Sequence, residues 1–225
     1  MRNADGSPAK NTRNGVTTRF RTQRAIKARL NNLSAKYYKV LAWKIPILAE
    51  YRYILYHDAN FLIGNDHLFQ EFLSILQNYS YVAISHPRRW GGIQWEAVEA
   101  TYQLRYRLDG VKNQTKNYLR LGYPDNPKNL LYGGTFFYDA WDPTVRSMFQ
   151  EWWREILLGS IEDQISYPYV FWKLGIESYR ALVDAKRLCS LLYPNAPIIP
   201  VGKFNSFGYC YSEHIVSKKE YGKIG

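Results

Sequence analysis

Residues 51–64 read YRYILYHDANFLIG, and this stretch sets the fold class. Residues 53–56 are a run of β-formers, which predicts a short buried strand. A polar cluster of His57, Asp58 and Asn60 follows at once. Ligands of open α/β sheets bind at the carboxyl ends of the strands, so Asp58 is a ligand or metal candidate. The same spacing also allows a plain turn that Asp58 caps, with His57 on the surface.

The rest of the chain alternates between helical and strand-like patterns. Residues 1–18 predict a loose basic lead-in, and residues 19–44 a basic helix or pair of helices that Pro46 ends or bends. The remaining predicted helices are 66–79, 93–107, 112–121, 143–158 and 165–174, and the remaining strands are 81–85 and 130–138. No element is predicted beyond Gly175. We expect residues 19–225 to form a single α/β domain.

The positive charge is concentrated at one end of the chain. Residues 1–44 carry eleven Lys and Arg against one acid, Asp5, while the other 181 residues carry nineteen basic and eighteen acidic side chains. The body is therefore close to neutral, which makes a nucleic-acid-binding protein an unfavourable interpretation. A basic arm can still contact anionic lipid, nucleic acid or nucleotide phosphates, and a solvated tail is the simplest alternative.

The cysteines and the hydropathy indicate where the protein resides. Cys189 and Cys210 show no metal-ligand or redox motif, so we interpret them as free thiols in a reducing compartment. The sequence shows no signal peptide and no apolar run long enough for a membrane helix. We expect a cytoplasmic protein, with peripheral membrane contact through the basic arm.

Several segments in order resemble a known family. They are YYKVLAWKIPILAEYRYILYHDANFLI, ISHPRR, QTKNYLRLGYP, LLYGGTFFY, a helix with paired tryptophans, and EDQISYPYVFWKLGI. Together they span roughly residues 35–176. Their order is similar to the glycosyltransferase-like family once called domain of unknown function 616, whose plant members are linked to pectin and mucilage polysaccharides.

The resemblance implies a GT-A-like fold and a sugar-transfer reaction. The fold would be a Rossmann-type three-layer sandwich with a mixed, mainly parallel central sheet. The reaction would move a sugar from a nucleoside diphosphate donor to a glycan or glycoconjugate acceptor. Larger GT-A enzymes hold a divalent metal on an Asp-x-Asp motif, because the cation neutralises charge on the departing diphosphate. Here Asp58 keeps the first acid and Asn60 replaces the second.

The resemblance also implies roles for individual residues. Asp58, Asn60 and a C-terminal His214 would hold Mn²⁺ or Mg²⁺, and Asp163 would act as the base or as an electrostatic partner of the oxocarbenium-like centre. Lys39 would lie near the diphosphate or sugar, a glycine pair would lie against the donor sugar, and a basic turn would lie on the acceptor rim. The substrate-binding residues would be Lys39, His86, Arg88, Gly133, Gly134 and Gln164.

Each of these positions also has a purely structural interpretation. Asp163 could belong to a helix N-terminus capped by Ser160, and the glycine pair could be a β-bulge. His86 could simply end a strand, and His214 could be a surface residue. Trp152 and Trp153 fit a hydrophobic core better than a sugar platform.

Two rival functions remain open at this stage. GT-A folds normally begin with a strand that binds the nucleoside base, and no apolar strand of that quality precedes Arg19. Together with Asn60, this allows a non-catalytic relative that binds glycan or nucleotide. The basic arm leaves nucleic-acid binding as the third hypothesis.

Overall fold

The computed structural model describes residue 27 and residues 30–58, 67–86, 92–102, 110–184 and 187–188. Within these residues, four strands form one sheet: β1 (Tyr53–His57), β2 (Tyr81–Ser85), β3 (Leu131–Asp139) and β4 (Arg180–Val183), in the order β1-β3-β2-β4. β3 is antiparallel to both of its neighbours, whereas β2 and β4 are parallel. β1, β2 and β4 therefore run in one direction, and their carboxyl ends meet at one edge of the sheet.

This arrangement confirms the α/β class and the mixed sheet. Three of the four described strands share a direction, but two of the three pairings are antiparallel because β3 lies between β1 and β2. "Mainly parallel" therefore describes the strand directions and is wrong for the hydrogen-bonded pairs. β4 was not predicted, since its four residues, RALV, are too few for a clear pattern.

Helices cover both faces of the sheet. They are α1 (residues 30–40), α2 (Pro46–Ala49), α3 (His67–Ile75), α4 (Gly92–Tyr102), α5 (Val111–Arg120), α6 (Pro143–Leu158) and α7 (Asp163–Leu174). The side chains of α3 pack on one face with Val82, Ile84 and Phe137. The larger core lies on the other face. It contains side chains of α1, α4, α5, α6 and α7, which pack with Tyr81, Phe136 and Tyr138.

Local sequence signals fix several helix ends. Asp142 caps α6, because its Oδ1 accepts the backbone N–H groups of Thr144 and Val145 at 2.7 and 3.2 Å. Gly175 ends α7 in the left-handed conformation, with φ 66°. Pro46 begins the short helix α2, a position where its missing N–H costs nothing. In the described part of the chain, no helix has both the length and the apolar character needed to cross a membrane.

A bulge in β3 shapes the edge where β1 ends. The pairing of β2 passes from Ala83–Phe136 directly to Ile84–Tyr132, so the intervening β3 residues 133–135 have no partner on β2. The pairing with β1 continues through His57–Thr135, and the Asp58 N–H donates to the Gly134 carbonyl at 2.8 Å. The glycine pair therefore lies in an irregular part of β3, beside Asp58, as a bulge-like alternative would require.

Candidate functional site

Asp163 lies at the centre of the site, in the first turn of α7. Its Oδ2 contacts the Nζ of Lys39 at 2.6 Å and the Nζ of Lys36 at 2.8 Å. The side chains of Asp163 and Lys39 are 3% and 5% exposed, and that of Lys36 is 18% exposed. Lys36 and Lys39 are one helical turn apart on α1, so both ammonium groups reach the same carboxylate. We call these three residues the lysine–aspartate cluster.

The charges of the lysine–aspartate cluster are unbalanced, because two cations share one anion. Burial alone would raise the pKa of Asp163, but the charges of Lys36 and Lys39 hold that pKa at about 2. Burial lowers the pKa of Lys39, and Lys36 adds to this effect, while Asp163 partly offsets it. Asp163 is therefore ionised at neutral pH and is a weak proton acceptor, which favours the electrostatic role over the base.

Aromatic rings enclose the buried ammonium. The Lys39 Nζ lies 5.1 Å from the centroid of the Tyr56 ring and 6.0 Å from that of Trp152. Trp152 is fully buried, and its Nε1–H donates to the Asp163 carbonyl at 3.2 Å. The core interpretation of Trp152 is confirmed, and its ring also supports the start of α7.

Gly133 lets the charged groups pack close to the backbone of β3. A Cβ at this position would lie 3.1 Å from the Lys39 Nζ, 3.3 Å from the Gln164 Cγ and 3.6 Å from the Asp163 Oδ1. The Gly133 N–H donates to the Gln164 Oε1 at 3.2 Å, which ties β3 to α7. A glycine is therefore suited to this point of the strand, where other groups approach the backbone closely.

Asp58 lies at the carboxyl end of β1, near the same ammonium. Its Oδ1 accepts the Tyr56 hydroxyl at 2.6 Å, and burial followed by this hydrogen bond raises the pKa of Tyr56. The charge of Asp58 also acts to raise the pKa of Lys39, which places both residues in one electrostatic environment. The other oxygen of Asp58 accepts no hydrogen bond from the described residues.

Asp58 is the one predicted metal ligand that the structure describes. The part of the chain that the structure describes contains no group of three His, Cys, Asp or Glu side chains positioned to hold an ion. Mg²⁺ is commonly bound by one or two carboxylates together with substrate phosphates and water, and Asp58 could supply one such carboxylate. The predicted ligands Asn60 and His214 lie outside the described residues, as does Arg88.

His86 requires a correction. It follows β2 and is only 2% exposed, so the expectation of a position on the acceptor rim is wrong. Its ring packs 5.9 Å from that of Trp95 and 6.2 Å from that of Tyr132. A side chain at Gly134 would collide with the Tyr132 ring, so Gly134 makes room for this internal packing.

The Ser160 cap also requires a correction. The cap position of α7 is Glu162, whose side chain makes no capping hydrogen bond. Ser160 instead accepts the Glu162 N–H on its Oγ at 2.9 Å and so shapes the turn before Asp163. Asp163 does lie at the helix N-terminus, where the helix dipole favours its negative charge.

A second buried network fixes this turn from the other side. The Gln114 side chain donates to the Tyr118 hydroxyl at 2.6 Å and to the Glu155 carbonyl at 3.0 Å, and accepts the Ser160 N–H at 2.8 Å. The Tyr118 hydroxyl donates to the Glu155 Oε2 at 2.7 Å. We call Gln114, Tyr118 and Glu155 the brace, because they join α5 and α6 to the turn that presents Asp163.

Sequence reasoning missed three contributors to the site. Lys36 had a usable signal, since it lies three residues before Lys39 on a helix. Tyr56 was interpreted only as a strand residue. Glu155 was hidden inside an amphipathic helix, where an acid normally faces solvent.

The chain was also compared with known proteins. No protein-family model, no curated protein and no solved structure matches it.

Proposed function

We propose that the protein is a nucleotide-sugar-dependent glycosyltransferase that moves a sugar from a nucleoside diphosphate to a glycan acceptor. One observation carries the proposal. Four separate segments of the chain place residues around one edge of the sheet, namely Lys39, Asp58, Gly133 and the pair Asp163 and Gln164.

The charges at this edge suit a diphosphate leaving group. Lys36 and Lys39 together exceed the single negative charge of Asp163. Asp58 also acts on Lys39, and a divalent cation held by Asp58 would leave this edge with excess positive charge. Lys39 is largely removed from water, where its attraction for an anion is strong. A phosphate reaching the partly exposed Lys36 would draw this ammonium away from Asp163 and would itself be stabilised as the glycosidic bond breaks.

The remaining residues position the donor. The donor sugar lies against the Gly133 backbone, where a side chain would intrude on Lys39 and Gln164. Asp58, with Asn60, would hold a divalent cation, which would neutralise charge on the diphosphate. Asp163 stays ionised and stabilises positive charge that develops at the anomeric carbon.

A non-catalytic relative that binds nucleotide or glycan is the second candidate. The observation that favours it is the closed ion pair at Asp163, whose pKa of about 2 makes it a weak base. In this case the same edge binds the ligand and the donor is not cleaved.

Donor binding and donor cleavage separate the two candidates. Calorimetry with UDP- and GDP-sugars, with and without Mn²⁺, measures the first, and release of free nucleoside diphosphate measures the second. We expect Lys36→Met to weaken nucleotide binding at least tenfold, because a direct contact to an anion is lost. Lys116→Met is the matched control, since this exposed lysine of α5 lies outside the site.

Three outcomes decide the matter. Metal-stimulated release of the diphosphate supports the transferase. Binding without release supports the non-catalytic relative. Absence of nucleotide-sugar binding under both metal conditions overturns both candidates.

A further inference from the structure

A cleft lies at the opposite edge of the sheet, where β1 and β2 begin and β3 ends. It has a volume of about 490 Å³, which is within the range of roughly 300–1,000 Å³ typical of small-ligand sites. Its lining includes Arg52, Asn78, Tyr79, Ser80, Asp139 and Trp141. None of these residues belongs to the lysine–aspartate cluster or to the brace.

Trp141 lies at the mouth of this cleft and is 54% exposed. The Trp141 backbone N–H donates to the Asp139 Oδ1 at 2.9 Å. The N–H of the preceding residue, Ala140, donates to the Arg52 carbonyl at 2.6 Å. The Ala140 carbonyl accepts the Arg146 Nε–H at 2.6 Å. The turn is therefore fixed by hydrogen bonds while it presents a large apolar ring to solvent, and Tyr79 beside it is 42% exposed.

The cleft carries one cation, Arg52, against two carboxylates, Asp139 and Asp142. Arg52 donates through its Nε to the Asp139 Oδ2 at 2.9 Å, and its Nη2 lies 2.9 Å from the same oxygen. Asp142 is stabilised by neutral donors: Ser80 donates to its Oδ2, and its Oδ1 caps the positive end of the α6 dipole. The excess of one negative charge disfavours an anionic ligand in this cleft.

A ligand of this cleft must combine hydroxyl groups with a flat apolar face. The exposed rings supply a stacking surface, while the amide of Asn78, the guanidinium of Arg52 and the carboxylates offer hydrogen bonds. A neutral pyranose has this character, because one face of the ring carries only C–H bonds and its rim carries hydroxyl groups. We propose that this cleft is a saccharide-binding subsite with Trp141 as its stacking platform.

The subsite does not depend on the proposed transferase activity, and the experiment keeps the two apart. Calorimetric titration of the full chain would use cellohexaose, xylohexaose and mannohexaose as neutral probes and hexagalacturonate as the charged comparator. We expect at least one neutral hexasaccharide to bind. Trp141→Ala should weaken that binding by about tenfold, the loss expected for one aromatic stacking contact.

Two control variants complete the design. Trp141→Phe retains a ring and should stay within about threefold of the parent affinity. Tyr102→Ala removes an aromatic ring that is 84% exposed elsewhere on the surface and should change nothing. Binding that survives Trp141→Ala but is lost in Lys36→Met belongs to the other edge of the sheet and overturns the proposal. Failure of all neutral probes to bind, or preference for hexagalacturonate, also overturns it.

Discussion

Asp163 and Glu155 are both buried carboxylates, and they lie on either side of the turn between α6 and α7. Glu155 accepts the Tyr118 hydroxyl on one oxygen and the Lys173 ammonium, at 2.9 Å, on the other. Asp163 takes both of its ammonium partners on Oδ2, and its Oδ1 accepts no hydrogen bond from the described residues. Glu155 is therefore satisfied on both oxygens, whereas Asp163 keeps one oxygen directed towards Gly133.

The charges around Glu155 are balanced, whereas those around Asp163 are not. Glu155 and Glu151 face Lys173 and Arg154, so these two acids balance two bases. The lysine–aspartate cluster has one base in excess. Balanced, saturated polar networks stabilise a fold, while an excess charge beside open backbone is suited to a ligand. The brace is thus suited to stabilising the fold, and under the proposed function the lysine–aspartate cluster is the part that binds the ligand.

The largest effect is expected from Asp163→Ala. This change leaves the ammonium of Lys39 buried without its anion, which should lower the free energy of unfolding by about 3–5 kcal/mol. Urea denaturation followed by circular dichroism measures the loss. Lys36→Met is the internal comparison and should cost clearly less, because Asp163 keeps its contact with Lys39. Equal costs for the two variants would show that the cluster does not depend on burial.

Acid should weaken the cluster in a defined range. The pKa of Asp163 is lowered from 3.8 to about 2 in the folded protein, so its contribution is complete above about pH 4 and is lost as the pH falls towards 2. The shift corresponds to a loss on the order of 2 kcal/mol. Asp163→Asn should remove this part of the pH dependence in urea titrations between pH 5 and 2. An unchanged slope in the variant would mean that other carboxylates account for acid unfolding.

The sequence predicted the strands and helices near the site better than it predicted their contacts. The strand at 53–56 and the helix at 143–158 follow from local signals, and both elements appear in the structure, although Ile54 is the one buried residue of β1. The position of Asp163 relative to Lys36 depends on how α1 packs against α7, which no local pattern encodes. The inward position of His86 likewise depends on packing against Trp95, which lies on a different element.

The basic arm shows why a charge count alone misleads. Lys36 and Lys39 were counted with a segment expected to meet lipid, nucleic acid or nucleotide phosphates, yet both side chains turn inward to Asp163. Their pattern on the helix was visible in the sequence, but their partner lies more than a hundred residues away in the chain. Long-range pairs of this kind require the fold.

Tyr118→Phe breaks the brace and leaves the cluster intact. The hydroxyl joins Gln114 to Glu155, so its removal should lower the free energy of unfolding by about 1.5 kcal/mol, the value for a buried hydrogen bond to a charged acceptor. Lys173 still satisfies Glu155, which limits the damage. Thermal unfolding measures the change. Nucleotide-sugar affinity should stay within about threefold of the parent value, and a larger fall would assign the brace a direct role in binding.

Gly133→Ala should have the smallest effect on stability and a clear effect on binding. The new Cβ would lie 3.1 Å from the Lys39 Nζ and 3.3 Å from the Gln164 Cγ, contacts that small shifts of two flexible side chains can relieve. We expect a stability cost below about 1 kcal/mol. The methyl group would nevertheless fill the space assigned to the donor sugar, so affinity for a nucleotide sugar should fall more than affinity for the nucleoside diphosphate alone.

Gly159→Ala is the matched change in the brace, where the Cβ would collide with the hydrogen-bonded amide of Gln114. It should destabilise the protein more than Gly133→Ala and leave the ratio of the two affinities unchanged; the reverse pattern would exchange the roles of the two regions.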